Sequence, residues 1–297
     1  MLIRLLKKVK NRLHLERERF AFNRKLSSAR RVSDKKLIDE KCSDGIKVGL
    51  HFHVFYTDLI EEIYSHIKNT RHRFTLVLTT TTEENAVYLN KFFAENPHEN
   101  FDVRIKVVEN RGRDIYPFYQ AFCDDYEDYD VIGHFHTKKS KQNDFGNDWR
   151  KFLYDNLLGY DCLFDNVITL FSKNAKVGFI TTPPFPVENI RSAYMYFSRD
   201  PKVKKDIEIP LKLFAPETVN EMYAGKYNND FPCGNMFIAR KDAVKQFFST
   251  KLTSSHFPDE AGQLMGTLQH YVELMWKYIV EYNGYKYIEI LKGKKNG

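Results

Sequence analysis

The chain has 297 residues, of which 42% are hydrophobic and 15% aromatic, so it can bury a full core and is neither disordered nor of low complexity. Its net charge of +7 lies at one end: residues 1–37 hold 13 Lys and Arg against 3 Asp and Glu, whereas the rest of the chain holds 33 against 36. Because that larger part is slightly acidic, the charge argues against a nucleic-acid-binding protein.

Cysteine spacing and hydropathy indicate in which cellular compartment the protein resides. The four cysteines are far apart, which argues against a CxxC redox pair and a zinc knuckle, so we predict reduced thiols and a cytoplasmic location. No run approaches the roughly 18 to 20 apolar residues that span a bilayer, so the sequence predicts no transmembrane helix.

The first predicted element is a basic N-terminal helical arm, residues 1–45. Apolar residues recur at near-helical spacing from Leu2 to Leu13 among five Lys and Arg residues. Such a helix can lie on anionic lipid, so residues 1–31 are a candidate for peripheral attachment to the inner face of the plasma membrane. A frayed, solvated arm explains the same charges equally well.

From residue 46 onward, apolar runs alternate with helical stretches. Strands are predicted at 46–55, 74–80, 103–108 and 130–136, and helices at 57–69, 83–95 and 115–127. Strands and helices that alternate in this way form βαβ units, which predicts an α/β fold with a mainly parallel, Rossmann-like sheet.

The second half is less regular but belongs to the same unit. A helix is predicted at 148–173, a strand at 177–180, a proline-rich turn at 182–186, a strand ending near 240, and helices at 241–250 and 260–282. Because no repeat or flexible linker interrupts the pattern, we predict one domain over 46–290. Residues 46–140 would form its nucleotide-binding half and residues 141–290 the other half.

Polar residues that close apolar strands are the first candidates for a site, because ligands of open α/β sheets bind beyond the carboxyl ends of the strands. Three segments qualify: His53–Tyr56, Asn110–Asp114 and His134–Lys139. The second places a glycine, two guanidinium groups and a carboxylate before a helix, where backbone N–H groups and Arg113 can bind phosphate. The alternative is an ordinary turn, with Asp114 as the helix N-cap and Arg113 in a surface ion pair.

His134 and His136 lie two residues apart on a predicted strand and therefore on the same face of the sheet. A transition-metal site usually needs three or more protein ligands, and no third is spaced nearby. We therefore predict that Lys138 or Lys139 compensates the charge of a diphosphate directly, with His136 as a hydrogen-bond donor. The alternative is that His134 and His136 are polar residues of no special function at the point where a strand leaves the core.

Two further groups are candidates for the reacting side of the site. Asp259 and Glu260 follow a proline, and a carboxylate in a cleft can act as a general base towards an acceptor hydroxyl. Acidic residues also stabilise helix N-termini, which is the competing explanation. Trp149, Gly234 and Asn235 could line a sugar subsite, although core packing explains the aromatic residue equally well.

The order of these segments resembles the rhamnan synthesis F family of bacterial polysaccharide-assembly proteins. The matching segments are His53–Tyr56, Asn110–Phe118, His134–Ser140, Trp149–Arg150, Phe231–Phe237 and Phe257–His270. Together they span about residues 46–282, and residues 1–45 lie outside the resemblance. Ile238, Leu274 and Met265 depart from the family pattern, which has tryptophan, arginine and aspartate at those places.

The resemblance implies a glycosyltransferase that extends rhamnose-containing cell-surface glycans from nucleotide-activated sugars. A more distant resemblance to GT-A enzymes implies a GT-A-like fold, in which His134–His136 stands where those enzymes carry an Asp-x-Asp metal motif. Because imidazoles replace the hard oxygen ligands that Mg²⁺ and Mn²⁺ prefer, we predict that no divalent metal is needed.

The implied reaction is a single-displacement, inverting transfer of a sugar, such as rhamnose or another deoxyhexose, to a polysaccharide or lipid-linked acceptor. The base would be Glu260 or Asp259. The implied donor-binding residues are His53, Tyr56, Asn110, Arg113, Asp114, His134, His136, Lys138 and Lys139, and the acceptor-binding residues are Trp149, Gly234 and Asn235. The alternative is a non-catalytic module that binds a nucleotide sugar or a glycan within an assembly complex.

Overall fold

The fold is an eight-stranded sheet flanked by helices. The computed structural model describes residues 16, 20, 23–24, 27–35, 45–137, 139, 145–199, 201–223, 230–263 and 265–293. The strands are β1 (Arg30–Val32), β2 (Val48–His53), β3 (Phe74–Thr80), β4 (Phe101–Val107), β5 (Val131–His136), β6 (Val177–Thr181), β7 (Phe237–Arg240) and β8 (Lys286–Lys292).

The sheet is mainly parallel, which confirms the predicted class. The order of the strands is β1-β8-β6-β7-β5-β2-β3-β4. Strand β7 runs antiparallel to β5 and β6, and the other neighbouring pairs are parallel. The carboxyl ends of β2, β5 and β6 therefore meet at one edge of the sheet, and the chain enters β7 at that same edge.

Helices cover both faces of the sheet. They are Ile60–Ile67, Glu83–Glu95, Ile115–Phe122, Gly146–Leu157, Leu163–Lys173, Glu188–Arg199, Pro201–Asp206, Glu208–Phe214, Thr218–Tyr223, Lys245–Ser249 and Leu268–Tyr282. The strand at 74–80 and the helix at 83–95 have the bounds predicted from the sequence. The start of this helix is set by a local interaction, because the side chain of its N-cap residue Thr82 accepts a hydrogen bond from the backbone N–H of Asn85 at 3.2 Å.

Three predicted helices are wrong in their extent: the one predicted at 115–127 ends at Phe122, and glycine explains the other two. The stretch 148–173 is two helices, separated at Gly159, whose φ of +65° is left-handed. The last long helix begins at Leu268 and not near 260, because Gly262 and Gly266 take φ values of +73° and +92°. A left-handed residue ends a right-handed helix, and glycine adopts this conformation without a Cβ clash.

The edge that β1 and β8 form was not predicted. Strand β1 pairs in parallel with β8, with Arg30 opposite Ile290, and the Asp34 carboxylate forms an ion pair with Lys292. Residues that precede 46 therefore contribute to the sheet. The amphipathic pattern from Leu2 to Leu13 lies outside the described residues. Within the described part, no helix is long and apolar enough to cross a membrane.

The two faces of the sheet carry separate hydrophobic clusters. Phe52 and Phe135 belong to one, and Phe118, Phe237 and Trp276 belong to the other. On the second face, histidines replace apolar residues at the carboxyl ends of β2 and β5. A buried polar side chain costs free energy unless it is hydrogen-bonded. The partners of these histidines therefore define the candidate site.

Candidate functional site

The Asn110–Asp114 turn directs a carboxylate into the sheet edge. Gly112 and Arg113 take left-handed φ values of +66° and +55°, after which the helix Ile115–Phe122 begins. Asp114 is buried, and its Oδ2 accepts hydrogen bonds from His134 Nε2 at 3.0 Å and from Asn235 Nδ2 at 2.5 Å. Asp114 stands at the N-cap position of this helix, as the alternative predicts, but its side chain makes no capping hydrogen bond and is directed at His134 and Asn235 instead.

Gly112 has a steric as well as a conformational role. A β-carbon there would lie 2.8 Å from Phe257 Cδ1 and 2.8 Å from Tyr116 Cβ, whereas a β-carbon at Gly262 would meet nothing within 4 Å. Both glycines have a left-handed φ, +66° and +73°. Gly112→Ala should therefore lower the free energy of unfolding by about 3 kcal/mol, the sum of left-handed strain and overpacking.

The matched control is Gly262→Ala, which has the strain without the clash and should cost about 1 kcal/mol. Chemical denaturation of both variants measures the difference. Equal losses would contradict the steric role of Gly112.

Four histidines line the carboxyl ends of β2 and β5. In the parallel register His51 lies opposite His134, and His53 lies opposite His136. His51 and His134 are fully buried, and the rings of His51 and His134 stack at a centroid distance of 5.4 Å. The prediction that His134 and His136 share a face is confirmed, because their ring centroids lie 6.0 Å apart on the same side of β5.

Hydrogen bonds join these rings across three strands. His134 and His51 share a hydrogen bond between their Nδ1 atoms at 3.2 Å. Thr79 on β3 bonds through Oγ1 to His51 Nε2 at 2.9 Å and to His53 Nδ1 at 3.0 Å. His136 Nε2 donates to the Gly234 carbonyl oxygen at 3.1 Å and lies 3.8 Å from Asp114 Oδ2.

Burial and neighbouring charges shift the pKa values in this cluster. Burial lowers the pKa of His53 to about 4 and that of His51 well below its ordinary value, with His134 adding to the second effect. Burial by itself would raise the pKa of Asp114. The charge of His136 and the hydrogen bond from His134 outweigh it, so the pKa of Asp114 lies well below its ordinary value. Asp114 is therefore an anion at neutral pH.

The Gly234–Asn235 turn closes the site from the other side. Asn235 has a left-handed φ of +52° and is buried. Its Oδ1 accepts a hydrogen bond from Trp276 Nε1 at 3.0 Å, which fixes the amide so that Nδ2 points at Asp114. A β-carbon at Gly234 would lie 3.1 Å from Trp149 Nε1, so the three residues predicted for the acceptor side lie together.

Glu260 lies against the Asn110–Asp114 turn. Its Oε1 accepts hydrogen bonds from the backbone N–H of Arg113 at 3.0 Å and from Gln269 Nε2 at 3.3 Å. The Arg113 guanidinium donates to His270 Nε2 at 2.9 Å. Burial and the Arg113 charge lower the pKa of His270 to about 4, so this imidazole is a neutral acceptor. Since the long helix begins only at Leu268, a role for Glu260 at its N-terminus is wrong.

Four other predicted residues do not contact Asp114 or the histidines in the described part of the chain. The Asp259 side chain is 84% exposed and forms an ion pair with Arg111. Lys139 forms an ion pair with Asp58, and its Nζ lies 4.9 Å from the centroid of the Tyr56 ring. Lys138 lies outside the described residues, and Asn110 is exposed on the turn.

The donor atoms at this edge do not fit a Mg²⁺ or Mn²⁺ site. Those ions prefer several oxygen ligands, whereas among the described residues Asp114 Oδ2 already accepts two hydrogen bonds and the imidazoles of His51 and His134 are hydrogen-bonded to each other. Among the described residues, no group of three or more His, Cys, Asp or Glu side chains is arranged to hold a metal ion.

The sequence did not single out His51, Thr79, Gln269 or Trp276 as site residues. Each lies inside an element whose pattern explains it as core, and only the register of the strands and the packing of the last helix bring it to the site. Two residues could have been found. His51 lies two residues before His53 on the same predicted strand and therefore on the same face, and Thr79 is the penultimate residue of the predicted strand 74–80.

Comparisons with known proteins cover all the segments at this edge, and the family match begins at residue 18, so the prediction that residues 1–45 lie outside the resemblance is wrong for residues 18–45. The family model described as rhamnan synthesis protein F matches residues 18–285. The uncharacterized protein WxcX of Xanthomonas campestris pv. campestris is 27% identical over 250 residues in strain B100, and its counterpart in strain ATCC 33913 is 26% identical. These matches cover 83% of this chain and 33% of the relatives, so the chain spans about a third of their length.

A solved structure also aligns with the chain. The mannosyltransferase PcManGT from Pyrobaculum calidifontis, in complex with GDP-Man and Mn²⁺, covers 96% of this chain and 67% of its own, with a TM-score of 0.46 and 11% sequence identity.

Proposed function

The chain belongs to the rhamnan synthesis protein F family, and from that premise we propose that it is a glycosyltransferase. It moves a sugar from a nucleotide-sugar donor to a cell-surface polysaccharide or a lipid-linked glycan. The family supports glycosyl transfer in general, and its name supports rhamnose or another deoxyhexose as the sugar. The observation that carries the proposal is that the Asn110–Asp114 turn meets the ends of β2 and β5 around one buried carboxylate.

The donor lies, in this proposal, along the sheet edge between the turn and the histidines. Arg113 has an exposed position beside His270 and offers a guanidinium to the diphosphate. His53 and His136 contact the same diphosphate, and Asn110 contacts the ribose. Asp114 acts differently from the sequence-based expectation, because its buried Oδ2 already accepts two hydrogen bonds and so it organises the site.

Tyr56 and Lys139 form the nucleotide side of the proposed donor site. Both backbone N–H groups of Phe55 and Tyr56 donate to Thr137 Oγ1 at 3.0 Å, which ties the end of β2 to the end of β5. The Tyr56 ring, half-buried and beside a lysine, is suited to stack on a base. Trp149, Gly234 and Asn235 form the acceptor side next to it.

Metal independence is part of the proposal. The positive charge that compensates the diphosphate comes from Arg113, from Lys139 and from protonated imidazole, since the atoms at this edge do not suit a hard cation. Chelation with EDTA should therefore leave turnover unchanged.

Glu260 is the proposed general base. One of its oxygens is held by Arg113 N–H and Gln269, which fixes the direction of the carboxylate, whereas Asp259 is exposed and paired with Arg111. Glu260→Gln keeps an acceptor for both donors but removes the basic oxygen. Turnover should fall by about 10²- to 10⁴-fold, the usual contribution of a general base.

The experiment compares release of nucleoside diphosphate, and donor affinity by calorimetry, in the wild type, Glu260→Gln and the neighbouring control Asp259→Asn. Only Glu260→Gln should lose turnover, and both variants should bind donor as the wild type does. Normal turnover in Glu260→Gln would remove it from the role. Donor binding without turnover in the wild type would favour the alternative of a non-catalytic nucleotide-sugar-binding module.

A further inference from the structure

Five buried residues form one continuous series of hydrogen bonds, which we call the histidine chain: Asp114, His134, His51, Thr79 and His53. Its links measure 3.0, 3.2, 2.9 and 3.0 Å from Asp114 to His53. It crosses from the turn through β5 and β2 to β3. Every member is at least nine-tenths buried.

When the imidazoles are neutral, the histidine chain has only one direction. Asp114 is an anion and cannot donate, so His134 donates from Nε2 and must accept at Nδ1. His51 then donates from Nδ1 and accepts at Nε2 from the Thr79 hydroxyl. Thr79 in turn accepts from His53 Nδ1–H, which leaves His53 Nε2 as an acceptor.

One added proton reverses every link beyond His134. If His134 is an imidazolium, its Nδ1–H donates to His51 Nδ1, and His51 Nε2–H donates to Thr79. The Thr79 hydroxyl then donates to His53 Nδ1, and His53 Nε2 carries a hydrogen. The same heavy-atom positions serve both states. The two states differ at the open end, where His53 Nε2 is an acceptor in one and a donor in the other.

The position of His53 gives the open end access to the proposed donor site. His53 is the last residue of β2 and keeps 6% of its surface, and its bond to the Thr79 hydroxyl is made by Nδ1, so Nε2 is the opposite end of the ring. The proton would enter there and displace the Nδ1 proton to Thr79. The hydroxyl proton of Thr79 then moves to His51 and the Nδ1 proton of His51 to His134, so the positive charge ends beside Asp114.

The surroundings favour His134 as the place where the charge rests. Burial lowers the pKa of His53 to about 4 and that of His51 well below its ordinary value, so neither holds a charge well. The other ionisable groups around the histidine chain are His136 on β5, Arg113 on the turn and His270 on the last helix. Asp114 is the carboxylate in contact with His134.

We propose that the histidine chain takes up one proton when a nucleoside diphosphate binds, so that His53 Nε2–H donates to a phosphate oxygen and the charge rests on His134 beside Asp114. His51 and Thr79 are positioning residues that act through His53 and His134. The proposal rests on the donor site proposed above. The proton that is taken up then neutralises part of the negative charge of the diphosphate.

Proton uptake is measured by titrating the protein with UDP, GDP, ADP and dTDP in buffers of different ionisation enthalpy at about pH 8, where an ordinary histidine with a pKa of about 6.5 is neutral. For any nucleotide that binds, the wild type should take up close to one proton. Thr79→Val, which removes the hydroxyl but keeps the shape, should bind with no uptake and about tenfold more weakly, the effect of one lost hydrogen bond. Thr79→Ser is the matched control and should keep the uptake. Binding to the wild type without uptake overturns the proposal.

A second measurement needs no ligand. ¹⁵N spectra of the imidazoles should show hydrogen on Nδ1 of His51 and His53 and on Nε2 of His134 at about pH 8. On acidification the three should switch together, since they share one proton. If none of the nucleotides binds, the proposed donor site is wrong, and this titration then tests the histidine chain by itself. A joint switch of the three rings supports proton sharing along the histidine chain, and independent titration of the three rings overturns it. Should Thr79→Val not fold, the wild type and Thr79→Ser still give both results.

Discussion

Replacing Asp114 with asparagine should lower the free energy of unfolding by about 3 kcal/mol at neutral pH, because two hydrogen bonds to a buried carboxylate lose its charge. The bonds come from His134 at 3.0 Å and Asn235 at 2.5 Å. Turnover should fall by about 10²- to 10⁴-fold, because the anion also sets the tautomer of His134. Denaturation and turnover of Asp114→Asn measure the two effects.

The pH dependence of that difference has a definite sign. The folded-state pKa of Asp114 lies well below the unfolded value of about 3.9, so its charge stabilises the fold above that value. This contribution is lost as the pH falls through the folded-state pKa. The gap in stability between the wild type and Asp114→Asn should therefore narrow below about pH 4.

The matched control is Asp102→Asn. The Asp102 side chain is 72% exposed, and its ion pair with Arg73 has an N–O distance of 3.4 Å, so the substitution should change stability by at most about 0.5 kcal/mol. Asp114→Asn as stable and as active as this control would contradict a central role for the buried carboxylate.

The second large effect should come from Asn235→Ala, with an expected loss of about 3 kcal/mol. The substitution leaves the buried Trp276 N–H without its acceptor, removes a donor to Asp114 and places alanine at a φ of +52°. An unsatisfied buried donor costs about 1 to 3 kcal/mol, and left-handed alanine about 1 to 2 kcal/mol.

Asn235→Gly separates these terms, because glycine adopts the left-handed conformation without strain but also lacks the amide. It should be about 1 kcal/mol more stable than Asn235→Ala and still clearly less stable than the wild type. Thermal or chemical unfolding of the pair gives the comparison. If Asn235→Gly is as stable as the wild type, the amide contributes nothing to the free energy of unfolding and only the backbone conformation of the turn matters.

Local patterns predicted most of the sheet. The strand at 74–80 and the helix at 83–95 follow from β-branched content, helical periodicity and a cap that all act within a few residues. Strand β1 has three residues in a basic segment, and it forms because β8 lies beside it, with Arg30 opposite Ile290. No local signal encodes a partner that distant in sequence.

The sequence predicted which segments lie together in the candidate site but not the hydrogen bonds between them. Polar residues at strand ends pointed to His53, Asp114 and His134, and the parallel register does bring them together. The role of Asp114 could not be read locally, because a residue before a helix is an N-cap by pattern, whereas its burial against His134 is a tertiary effect. Thr79 enters only because β3 pairs in register with β2, with His53 opposite Thr79.

The family resemblance added what the strand ends alone do not give. It grouped the Gly234–Asn235 turn and the segment around Glu260 with the Asn110–Asp114 turn in one ordered set of segments, although more than 100 residues separate them from that turn. It also predicted an acceptor side at Trp149, which packs on Gly234. The predicted bounds of the last helix were wrong, and so was the helix-dipole explanation of Glu260 that depended on them.

The most direct test of the proposed donor site is a thermal-shift screen of the wild type and Arg113→Ala across nucleotide sugars, with and without EDTA. A ligand at a concentration about 100-fold above its Kd stabilises the folded state by about 2.7 kcal/mol. At least one nucleotide sugar should raise the Tm of the wild type by several degrees in the presence of EDTA, and the same ligand should have a much smaller effect on Arg113→Ala. A folded wild type whose Tm no nucleotide sugar raises, with or without EDTA, would contradict a nucleotide-sugar site at this sheet edge.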